Sequence, residues 1–151
     1  MDPTEQRGLL FQWLNELGIV NQLALARLAR RMPDDLHVAH FGVLNHLVRL
    51  GDGRTPLQIA SAFQVSKATM TNTLMRLAEK ELIRFQVNPS DGRSKPVMLT
   101  PSGRDCRARA IAALEPDLDF IAARVDIAGL AGTLPLLQAL RDVLDRHRDL
   151  P

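Results

Sequence analysis

The chain has 151 residues, 46% hydrophobic and 24% charged, which suits one globular protomer and excludes a disordered polymer. Aromatics make up only 4% and Tyr is absent, so the core must be built from Leu, Ala, Ile and Val, a composition that favours helices. The net charge of +2 is unevenly spread: residues 51–110 carry ten basic against five acidic side chains, the electrostatic footprint of a polyanion-binding surface.

Residues 5–31 place Leu10, Trp13, Leu14, Leu17, Val20, Leu23, Ala24 and Leu28 at helical spacing, and Gly18 interrupts that pattern without ending it. Pro33-Asp34-Asp35 is a break, after which Asp34 or Asp35 can cap a second helix carrying Leu36, Phe41, Leu44, Leu47 and Val48. Gly51-Asp52-Gly53 ends it. Thr55, Pro56 and Gln58 then form a cap, a first-turn proline and a capping-box partner for a short third helix. Gln64-Val65-Ser66 is a tight connection, with Ser66 capping a fourth helix whose inner face is Met70, Leu74 and Leu77.

The period then changes. Ile83, Phe85 and Val87 alternate with Arg84 and Gln86 as in a strand, and Val97, Met98 and Leu99 form the return strand after an Asp91-Gly92 turn. Thr100-Pro101 opens a helix through Ala108, Ile111, Leu114, Leu118 and Ile121, kinked or broken at Pro116. Gly129 and Gly132 precede a last helical stretch with Leu134, Leu137, Leu140 and Leu144. The fold class is therefore mainly α with a small β-hairpin. A short helix, a tight turn, a helix with a polar outer face and a hairpin read together as a winged helix-turn-helix.

The segment QVSKATMTNTLMRLAEKELIRFQVNPSDGRSKPVMLTPSGR resembles the multiple-antibiotic-resistance regulator (MarR) family. The likeness is carried by Val65-Ser66, Thr69-Met70-Thr71, Leu77, Leu82-Ile83, Pro89-Ser90-Asp91-Gly92-Arg93 and Leu99-Thr100-Pro101-Ser102-Gly103, in that order. It spans about residues 36 to 105, and the flanking helices match in position and length. The resemblance implies a single protomer over 1–151. A winged helix-turn-helix lobe would occupy 36–100, with dimerisation helices at 5–31 and 101–148. It further implies a homodimeric transcriptional regulator, of the repressor type, relieved by a small-molecule effector, with aromatic compounds among the candidates. Asn72 stands where the family often has Arg, and Gly92 where a second wing Arg is common. The alternative reading is a winged-helix protein-interaction module that has lost specific DNA binding.

In a dimeric helix-turn-helix the second helix enters the major groove, so Ser66, Lys67, Ala68, Thr69, Thr71, Asn72 and Arg76 are the candidate contacts to a pseudo-palindromic double-stranded DNA operator, with half-sites roughly 34 Å apart. Arg93 is the candidate for minor-groove insertion and Lys95 for phosphate. Asp91 is assigned to holding the wing, as the resemblance suggests. No effector-binding residue is assigned. His37, His40, His46 and His147 lack the spacing of a metal site, and Cys106 has no CxxC partner, so neither a metal nor a cofactor is expected. The hydroperoxide-sensing branch of the family uses a first-helix Cys with Tyr nearby, and this chain has neither. No catalytic arrangement stands out, so an enzyme is not expected. The acidic N-terminus, the lone cysteine and the lack of an uninterrupted apolar run of membrane-spanning length point to a cytoplasmic protein without a membrane partner.

Overall fold

The computed structural model describes residues 1–33, 35–87, 90 and 95–148. The elements are α1 (Pro3–Arg31), α2 (Val38–Leu50), α3 (Pro56–Ala62), α4 (Lys67–Glu79), β1 (Ile83–Phe85), β2 (Val97–Leu99), α5 (Pro101–Ala112), α6 (Glu115–Ala122) and α7 (Ile127–Arg146). They fall into two compact units, Met1–Leu114 and Glu115–Pro151.

The first unit holds the core. Val43, Leu44 and Leu47 from α2 meet Ile59 and Ala60 from α3 and Met70, Leu74 and Leu77 from α4. Leu82, Ile83, Val97, Leu99 and Cys106 complete the cluster. The hairpin is antiparallel, pairing Ile83 with Leu99, Arg84 with Met98 and Phe85 with Val97. Arg54, in the loop before α3, bridges Val97 from the other side. β2 is thus held on both edges: Val97 N–H donates to Arg54 O at 2.9 Å and Gly53 N–H donates to Val97 O at 3.0 Å. α5 packs on α2, where Arg107 Nε donates to Asn45 Oδ1 at 2.9 Å.

Three helices start with the same reciprocal device, in which the side chain of the third helical residue accepts the N–H of the cap. Glu5 does this for Asp2 and Gln58 for Thr55. In α2 the partner is a histidine: His40 Nδ1 accepts His37 N–H at 2.9 Å. The expected cap at Asp34 or Asp35 is corrected accordingly. Asp34 lies outside the described residues, and Asp35 sits at φ 54° in a turn closed by Leu36 N–H to Pro33 O. That turn buries Leu36 and delays the helix to His37.

Two helices end alike. Gln64 (φ 53°) follows α3 and Glu81 (φ 55°) follows α4, both left-handed. Gln64 N–H bonds Ser61 O and Val65 N–H bonds Ala60 O; Glu81 N–H bonds Ala78 O and Leu82 N–H bonds Leu77 O. Each set is a Schellman closure, with Gln or Glu where glycine is usual. The first of them makes the tight turn between α3 and α4.

Further corrections concern the strand and the C-terminal helices. Val87 lies beyond β1, and Val87 and Phe85 are exposed, so the inward alternation stops at Ile83. Among the described residues, the rung beyond Phe85 is Gln86 N–H to Pro96 O, and Pro96 has no N–H to donate in return. The helix opened by Thr100 stops at Ala112, and Pro116 falls in the first turn of α6, where its missing N–H costs nothing. Gly129 and Gly132 lie inside α7 together with Pro135, because the helix starts earlier, at Ile127 after Asp126. Among the described residues, α7 alone is long and apolar enough to cross a membrane on length and composition, although Thr133, Gln138, Arg141 and Asp142 interrupt its apolar run. Its last turns carry Arg141, Asp142, Asp145 and Arg146.

Candidate nucleic-acid interface

α4 presents a sharp division. Met70, Leu74 and Leu77 are buried against the core, and the opposite face carries the polar residues. Ser66 is the cap: its Oγ accepts Thr69 N–H at 3.1 Å and lies 2.8 Å from Thr69 Oγ1. Lys67, Ala68, Thr69, Asn72 and Arg76 are exposed, and Thr71 is half-buried. Thr71 Oγ1 donates to Lys67 O at 2.8 Å and Thr73 Oγ1 to Thr69 O at 3.1 Å. Both threonine hydroxyls are therefore engaged with the helix's own backbone, whereas the outward Asn72 amide lies on the open face. Arg76 Nη1 pairs with Glu79 at 3.2 Å, an exposed pair that costs little to break.

Lys95 is exposed just before β2. Asp91 and Arg93 lie outside the described residues, as do Asn88, Pro89, Gly92 and Ser94. The structure thus brings seven of the expected contacts onto one helix and its cap, with Lys95 at the foot of the hairpin.

Two of the four histidines, His40 and His46, are buried. His40 is buried, and burial lowers its pKa below the ordinary histidine value; the nearby charges of His37, Arg76 and Lys80 push it the same way. A neutral ring suits its role, because Nδ1 must keep a lone pair to accept His37 N–H. His46 is buried with its ring centroid 5.3 Å from that of Phe63. Among the described residues no three His, Cys, Asp or Glu side chains gather as a metal site. Cys106 is fully buried in the core.

Sequence reasoning missed two residues that organise this region. Asp52 was read only as part of a helix stop. Its Oδ1 accepts Leu99 N–H at 2.8 Å, and its Oδ2 lies 3.7 Å from Arg104 Nη2. Gly103, noted only as part of a motif, lets the first turn of α5 rest on the Leu82 carbonyl. Thr100 supports the same junction: its N–H donates to Leu82 O at 3.2 Å and its Oγ1 to Glu81 O at 2.7 Å.

Residues 34–94, a range that includes α2, α3, α4 and β1, match the model of the MarR family. Over this lobe, the chain matches the MarR family. Solved MarR-like structures share its fold over most of its length. The transcriptional regulator BldR from Sulfolobus solfataricus is 20% identical, covering 97% of this chain and 99% of its own, with a TM-score of 0.72. Mutant MarR from E. coli, complexed with operator DNA, is 23% identical over 93% of this chain and 99% of its own, with a TM-score of 0.66. Bordetella bronchiseptica BpsR, whose DNA binding is regulated by 6-hydroxynicotinic acid, is 24% identical over 86% of this chain and 98% of its own, with a TM-score of 0.68. The MarR-like winged helix-turn-helix expected from the sequence is the fold observed.

Proposed function

We propose that this MarR-like chain is a dimeric, sequence-specific DNA-binding transcriptional regulator, acting as a repressor that a small molecule relieves. The observation that carries the reading is the outer face of α4. Lys67, Ala68, Thr69, Asn72 and Arg76 are exposed on one helix directly after a tight helix-turn-helix turn, and the side chains suit base edges and phosphates. The operator-bound E. coli relative and the 6-hydroxynicotinic-acid-regulated BpsR support DNA as the partner and a small aromatic acid as the type of effector. Arg93 and Asp91 keep their roles as wing tip and wing brace in this reading, on the sequence alone.

Dimerisation is supported by apolar surface that each unit leaves uncovered. On α1, Leu9, Leu10, Phe11, Val20 and Leu23 are exposed, and on α7, Leu130, Leu134, Leu136, Val143 and Leu144. Patches of this kind mark association surfaces. The regions 5–31 and 101–148 are accordingly assigned to the dimer and 36–100 to DNA, in a cytoplasmic protein.

A salt-titrated gel shift on the DNA upstream of its own gene, run beside sedimentation equilibrium, tests the reading. The expected result is a dimer that prefers this DNA over random duplex, with affinity falling steeply as salt rises. Equal affinity for both duplexes, or none at low salt, would replace the regulator with the protein-interaction module.

A further inference from the structure

Resting on the DNA-binding reading, we infer that Asp52 is a positioning residue for operator recognition: its carboxylate locks the stem of the wing to the entry of the helix-turn-helix. Asp52 lies in the loop between α2 and α3, three residues before the Thr55 cap. One oxygen, Oδ1, accepts the backbone N–H of Leu99 at 2.8 Å, and the other faces Arg104 of α5 at 3.7 Å. A carboxylate accepting a backbone N–H is a charge-assisted bond, stronger than a neutral one. The Asp52 side chain is only 26% exposed, so water competes weakly for it, whereas Arg104 at 57% is solvated and its ion pair is the minor contact.

The same loop pairs with β2 through its backbone. Gly53 N–H donates to Val97 O, and Arg54 O accepts Val97 N–H. Those two bonds set which residues face each other. Asp52 then extends the contact to Leu99, where the loop backbone has turned away, with Gly51 and Gly53 at φ 85° and 91° making the turn. Three segments therefore meet on one side chain: the loop that leads into α3, the strand that descends from the wing, and the first turn of α5. α3 carries α4 through the Gln64 turn, and β2 carries Lys95 two residues before its start. Asp52 fixes the distance between the two DNA-facing parts, the α4 face and the wing stem, without itself touching DNA.

The test uses the full-length chain with Asp52→Ala, Asp52→Asn and Arg104→Ala. Asn keeps an oxygen that can accept Leu99 N–H; Ala does not. Amide hydrogen exchange at Leu99, measured without DNA, should rise by about tenfold or more in the Ala variant and stay near the parent in the other two. Operator affinity should fall by about tenfold in Asp52→Ala and recover in Asp52→Asn, with affinity for random duplex unchanged. Unchanged Leu99 exchange in Asp52→Ala would overturn the inference whatever the DNA result. So would an equal loss on operator and random DNA, or an Asn variant as impaired as Ala. If the parent binds no DNA at all while Leu99 exchange responds as expected, it is the regulator reading that falls; the stem lock stands and its role in recognition is overturned.

Discussion

Gly103 lies against the carbonyl oxygen of Leu82, so closely that a Cβ at this position would overlap that oxygen and press on Leu99 Cδ1 at 2.8 Å. The first turn of α5 thus rests directly on the backbone that leaves α4. Thr100 clamps the same place, bonding both the Glu81 and Leu82 carbonyls. The Leu-Thr-x-x-Gly pattern has a steric origin: the threonine grips the junction and the glycine makes room for it.

Gly103→Ala should consequently destabilise the fold, because the obstacle is backbone rather than the end of a flexible side chain. A loss of about 3 kcal/mol is expected, at the upper end for overpacking. Urea denaturation of parent and variant measures it, and a loss below about 0.5 kcal/mol, the size of an ordinary surface change, would mean that the junction relaxes freely.

Glu81→Gly should act in the opposite direction. Glu81 holds a left-handed backbone that a side chain disfavours by about 1–2 kcal/mol, and glycine removes that strain while adding unfolded-state freedom. The net expectation is a gain of about 0.5–1 kcal/mol in the same denaturation assay. Gln64→Gly should gain less, because Gln64 Nε2 also donates to Ser61 O at 2.8 Å and glycine gives that bond up.

The His40 environment makes stability depend on pH. Its folded pKa is lowered, first by burial and then by His37, Arg76 and Lys80, so the unfolded chain binds the proton more readily. Stability is then full above the ordinary histidine value of about 6.5 and declines as pH falls below it. His40→Gln keeps an acceptor for His37 N–H, in the role Gln58 has for Thr55, and removes the titration. Thermal unfolding between pH 5 and pH 8, a range set around that value, should show a shallower slope in the variant.

On DNA, Lys67→Ala and Asn72→Ala should fail differently. Loss of Lys67 should weaken all duplexes alike and reduce the salt slope by about 1, as for a phosphate contact. Loss of Asn72 should cost about 1–3 kcal/mol on the operator and relax preference at one base pair. Fluorescence anisotropy on single-substituted operators distinguishes them.

The helix-turn-helix was legible because its ends are written in local chemistry. Thr55, Pro56 and Gln58 start α3, Ser66 starts α4, and the spacing of Met70, Leu74 and Leu77 identifies the inner face, leaving the candidate contacts on the outer one. The start of α2 was not legible, since a histidine serves where Glu or Gln is expected in a capping box. The C-terminal helices were misplaced because continuous apolar spacing runs across the α5–α6 break, and two glycines and a proline sit inside α7. Asp52 was hidden for another reason: its hydrogen-bond partner lies 47 residues further along the chain, and no local pattern encodes that contact. The expected roles of Asp91 and Arg93 concern residues outside those described.

Among the described residues of α1, Leu28 alone is buried, and α6 and α7 bury none. A helix without tertiary cover is held by its own propagation, which is marginal in water even for good helix formers. If the proposed dimer covers their leucines, the helical content of these segments should answer to dilution: as the protomers part, circular dichroism should register the loss of order along with the loss of mass.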